Sequence, residues 1–61
     1  MDEAAYNVLE VARICILCIN TKDKLGMSNL IDVIIEDDEL YTEDECYVIS
    51  HTINEASVKL L

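Results

Sequence analysis

Apolar and polar positions along the chain fall into three stretches of helical period. Over residues 3–20, Glu3, Asn7, Glu10 and Arg13 recur at spacings of four and three and form one polar stripe. Ala4, Ala5, Val8, Leu9, Val11, Ala12, Cys15 and Ile19 fill the remainder. The stretch ends in six consecutive apolar residues, Ile14-Cys15-Ile16-Leu17-Cys18-Ile19. A helix that is apolar all round must be covered on more than one side. The pattern predicts a first helix over about residues 3–24, with Lys22 and Lys24 in its last turn and Gly26 as the residue just beyond its end. A β-strand over residues 14–19 is the rival reading, because isoleucine favours strands, but no hairpin turn signal accompanies it.

Beyond Gly26, Ser28 is placed to cap a second helix over about residues 28–38. Leu30, Ile31, Val33, Ile34 and Ile35 would cover one broad face of it, opposite Asn29, Asp32, Glu36 and Glu39. Acids at a helix C-terminus oppose the macrodipole, so a turn is expected at Glu39-Leu40-Tyr41. Next, Thr42-Glu43-Asp44-Glu45 has the form of a capping box, flanked by Tyr41 and Cys46 as a hydrophobic staple. A third helix is predicted over about residues 43–60. Its residues Cys46, Ile49, Ile53, Ala56 and Leu60, spaced 3, 4, 3 and 4, form a narrow seam suited to lengthwise packing on another helix. Tyr47, Val48 and Val58 lie off that seam.

The expectation is therefore an all-α, three-helix single domain. Sixty-one residues supply little core: burial at about 25 cal/mol per Å² barely offsets the entropy of ordering so short a chain. With three cysteines no single chain can pair all its thiols, so oligomerisation is the expected supplement. An intertwined or side-by-side homodimer is predicted, with Ile14, Cys15, Leu17, Cys18, Ile19, Cys46, Ile49, Ile53, Ala56 and Leu60 as its core and subunit seam.

Charge narrows the choice of partners. Thirteen Asp and Glu stand against four Lys and Arg, a formal charge of −9, which opposes phosphate backbones and anionic membranes. The longest apolar run falls far short of the roughly 20 residues that span a bilayer. The start Met1-Asp2-Glu3 is acidic where leader peptides are basic, so a cytoplasmic protein with reduced thiols is expected.

Candidate chemistry is sparse. Cys15-x-x-Cys18 has redox or zinc spacing, yet it lies late in a predicted helix, away from the N-terminal dipole that lowers thiol pKa values; core packing explains it better. Cys46 and His51 would have to complete a zinc site, but five residues separate them by about 140° round a helix. His51 stands among Ser50, Thr52 and Glu55 as a surface histidine, and nothing assembles a nucleophile with a base. No catalytic residue, metal or cofactor is expected. Glu36, Asp37, Asp38, Glu39, Glu43, Asp44 and Glu45 place seven acids in ten residues. They lack the glycine and register of an EF-hand. They could serve as an acidic partner surface that imitates nucleic acid, or simply as a solvated corner.

In size, charge and helical pattern the chain resembles the small acidic accessory proteins from the early regions of temperate lambda-like phages, including the short reading frames between the exonuclease and excisionase genes. That resemblance implies a non-enzymatic factor that binds host or phage proteins and adjusts host physiology or the lytic–lysogenic choice. The residues themselves lead to a self-associating protein-interaction module, with an acidic nucleic-acid mimic as the alternative; a regulatory role is what the resemblance implies.

Overall fold

The computed structural model describes residues 3–61 and contains α1 (Val8–Thr21), α2 (Lys24–Glu36), a short 3-10 turn (Asp38–Leu40) and α3 (Glu43–Lys59). No described residue lies in a strand, and residues 14–19 are helical. Both α2 and α3 pack on α1. Tyr41 reaches Tyr6 at one end of the bundle, while Ile19 and Lys59 share a cleft near the other. α1 and α3 thus run in the same direction and α2 runs back against α1, giving a body of 34 × 18 × 16 Å.

Each helix starts where a side chain captures a free amide. At α1, the Asn7 side chain accepts from the Glu10 N–H at 2.8 Å and the Glu10 carboxylate accepts from the Asn7 N–H at 3.1 Å. This reciprocal pair fixes the start at Val8 rather than near Glu3. Thr42 and Glu45 form the same arrangement at α3, at 3.1 and 2.9 Å, where the Thr42 motif predicts it.

The junction between α1 and α2 differs from the sequence expectation. α1 does not run on to Gly26: Lys22 turns left-handed (φ 55°), its N–H reaching the Ile19 carbonyl, while the Asp23 N–H bonds Cys18 O at 2.9 Å. This is a Schellman closure with a lysine where glycine is usual. Asp23, not Ser28, then caps α2 by accepting from the Gly26 N–H at 2.8 Å. Gly26 sits inside the first turn of α2 because a Cβ there would overlap the Asp23 carboxylate. The helix consequently begins four residues early, Ser28 lies exposed within it, and it ends at Glu36 rather than Asp38.

Val11, Cys15, Cys18, Met27, Leu30, Ile49 and Ala56 form the buried core, with Tyr6, Val8, Ile14, Ile19, Ile31, Ile34, Tyr41, Ile53 and Leu60 packed around it. Among the described residues no polar side chain is fully buried and no buried side-chain N or O lacks a partner, so their interior is held by apolar packing.

Candidate interaction face

α1 carries more apolar surface than its two neighbours cover. Cys15 and Cys18 are buried and Ile14 and Ile19 half-buried, but Ile16 and Leu17 are 59% and 61% exposed, as is Leu9 at 61%. Leu9 and Ile16 are seven residues apart, hence within about 20° of one another on the helix surface. Ile16 forms one wall of a cleft of about 140 Å³ between α1 and α3, floored by Cys15 and Ala56 and closed on the far side by Thr52, Glu55 and Lys59. Val48, 44% exposed, lies on the Thr52–Glu55 stripe two turns before Glu55. Ile16 therefore walls the cleft itself, while Leu9 on α1 and Val48 on α3 continue the same helical stripes beyond it.

Residues of the expected seam divide by place. Cys15, Cys18, Ile49 and Ala56 are buried within one chain; Ile14, Ile19, Cys46, Ile53 and Leu60 are half-buried; Leu17 is exposed. Ile16, which walls the cleft, and the exposed Leu9 and Val48 come from outside the α3 seam. Their signal in the sequence is apolar residues adjacent to, rather than on, the stripe that the packing partners use.

The acidic segment is partly occupied with structural work. Asp37 accepts from the Ala5 N–H at 2.9 Å, the Cys46 thiol contacts Asp38 Oδ1 at 3.8 Å, and Glu45 completes its capping box. Glu36, Glu39, Glu43 and Asp44 remain exposed. Beside them the Tyr41 hydroxyl donates to the Tyr6 carbonyl at 2.6 Å, and burial, then the Asp37 and Glu45 charges, raise its pKa. The topology enlarges this corner: the start of α1, the end of α2 and the start of α3 meet there. Glu3, Glu10, Glu36, Asp37, Asp38, Glu39, Glu43, Asp44 and Glu45 gather at one end with no basic residue among them, whereas Lys22, Lys24 and Lys59 gather at the other. Arg13 lies midway, exposed, on the α1 ridge beside the groove.

Chemistry-bearing groups stay apart. Cys15 and Cys18 are free thiols inside the core with pKa values raised by burial first, Cys18 also by Asp23. Cys46 is likewise held protonated, by desolvation and then Asp38; thiols in this state are poor nucleophiles and poor metal ligands. His51 contacts Glu55 at 3.3 Å on the exposed side of α3. The depression beside it is lined by His51, Asn54, Glu55, Val58 and Lys59, all from that one helix, so it has no opposing wall. Among the described residues no three His, Cys, Asp or Glu side chains are placed to hold a metal ion, and no helix is long and apolar enough to cross a membrane. No family model, curated protein or solved structure matches the chain.

Proposed function

We propose that the protein is a non-enzymatic interaction factor that works by docking the α1–α3 groove onto another protein surface. Leu9 and Ile16 carry this reading: these large apolar side chains are left mostly in water on the one helix that both others pack against, with Ile16 walling the cleft that faces α3. Three free thiols suit the reducing cytoplasm as its place of action. The resemblance to phage early accessory proteins points to the same class of regulator.

The test uses Leu9→Asp with Ile16→Asp. Both positions are exposed, so the melting temperature should change little, while capture of partner proteins from host extract should be lost. Capture that survives in the folded double variant overturns the reading.

A second reading, an acidic mimic of nucleic acid, draws on the nine carboxylates gathered at one end. It requires partners that bind DNA and are released by moderate salt, and loss of capture in Glu39→Gln/Asp44→Asn rather than in the groove variant.

A further inference from the structure

We infer that residues 3–6 form a strap that leaves and rejoins the bundle as one unit, with all three helices intact, and that its own charge sets how often it does so. None of these residues lines the cleft between α1 and α3, so the strap and that cleft work independently. The strap has few holds. Its Ala5 N–H donates to Asp37 Oδ2 at 2.9 Å, and its Tyr6 carbonyl accepts from the Tyr41 hydroxyl at 2.6 Å. Tyr6 is the one large apolar side chain it sets against the core, while Glu3 and Ala5 lie exposed. Both bonds end on the segment that joins α2 to α3, so the two holds share one anchor. α1 does not depend on them. Asn7 and Glu10 close its first turn reciprocally, and its first backbone bond runs from the Val11 N–H to the Asn7 carbonyl. With the hinge at Asn7, release of the strap leaves the helical hydrogen bonds in place.

Charge works against the closed form. A cavity of about 340 Å³ lies between the strap, the start of α1, the 3-10 turn and the start of α3, and Glu3 lines it together with Glu10 and Glu45. Among the described residues no cation lines it. Glu10 and Glu45 are fixed by their capping boxes, so Glu3 is the carboxylate that can move, and opening takes it away from the other two. Like charges in one cavity therefore push the strap outward, with a strength that salt screens. Two hydrogen bonds and one half-buried ring hold against that push, a balance that puts the opening well below the cost of unfolding. The two forms present different surfaces. Once the strap leaves, the cavity loses the wall made by Glu3, Ala4 and Tyr6, and Leu40 and the Tyr41 ring face water at the acidic end.

Native-state amide exchange, read residue by residue in a urea series below the unfolding transition, tests the proposal, with protection expressed relative to the unfolded chain. Ala5 should exchange with almost no dependence on urea, because opening exposes little surface, whereas the amide of buried Cys15 in α1 should quicken steeply. Tyr41→Phe removes the hold at Tyr6 and leaves the Ala5 bond alone; in a strap that moves as one unit it should speed Ala5 exchange about fivefold without urea. In wild type, added salt should raise the protection of Ala5. Glu3→Gln should slow Ala5 exchange about twofold and flatten that response to salt. Melting curves check that both variants are folded. A urea dependence at Ala5 equal to that at Cys15 would show the strap leaving only when the whole chain unfolds, and Ala5 exchange unmoved by Tyr41→Phe would show two separate frays; either result overturns the inference. Protection that Glu3→Gln leaves unchanged overturns it as well, since charge then does not set the balance.

Discussion

The two junctions of the bundle turn the chain by different means. Between α1 and α2, Lys22 and Asp23 do everything with bonds to residues no more than five positions away: Asp23 N–H to Cys18 O, Lys22 N–H to Ile19 O, Gly26 N–H to the Asp23 carboxylate. Between α2 and α3 the 3-10 turn and its flanks reach 32 and 35 residues back, from Asp37 to Ala5 and from Tyr41 to Tyr6. The first junction is local chemistry and would form in any helical hairpin of this sequence. The second adds to its own local bonds two that form only when the segment before α1 is in place, so it reports on tertiary structure.

Substitutions at the distant-bonded junction should therefore cost more than those at the local one. Tyr41→Ala removes a half-buried ring together with its hydroxyl bond and should cost about 3 kcal/mol, enough to leave a chain of this length largely unfolded in a urea titration. Tyr41→Phe isolates the hydroxyl and should cost about 1 kcal/mol, with faster amide exchange near Tyr6 as the local readout.

Alkali probes both ends at once. The Cys15, Cys18 and Tyr41 values are raised above their ordinary 9 and 10, so the folded state holds those protons more tightly than the unfolded chain. Their contribution is complete below pH 9 and is lost as pH rises through the raised folded values. The melting temperature should fall above pH 9, and Tyr41→Phe should remove only the later part of that fall. Cys15→Ala/Cys18→Ala should remove their share of the earlier part, leaving that of Cys46.

At the local junction, Asp23→Ala should cost about 1 kcal/mol and leave amide exchange around Tyr6 unaltered. Smallest of all, Lys22→Gly should raise stability by roughly 0.5 kcal/mol, since it relieves the left-handed strain at φ 55° but adds freedom to the unfolded chain. A Lys22→Gly protein that melts lower than wild type would show the lysine side chain to be serving the fold beyond its backbone.

What could be read ahead of the structure follows the same division. The start of α3 was legible because Thr42 and Glu45 supply both halves of a capping box in sequence. Asn7 and Glu10 carry the same signal at α1 and place its start at Val8, but a polar stripe running back to Glu3 masks it. The start of α2 was hidden by Gly26, whose usual place is beyond a helix end; here it is the residue that leaves room for the Asp23 carboxylate. The groove and the charge polarity were out of reach in principle. Both arise from which helix ends come together, and Glu10, Asp37 and Glu45 become neighbours only through the direction in which α2 runs.

The two-residue link between α1 and α2 also bears on kinetics. Closing so short a loop costs little entropy, and its contacts are near in sequence, whereas every contact of α3 with α1 waits on a far longer closure. The helical hairpin is thus the nucleus within easiest reach of the searching chain. Docking of α3, with the Tyr41–Tyr6 bond as its latch, becomes the step that limits the rate, and substitutions there should speed unfolding more than they slow refolding.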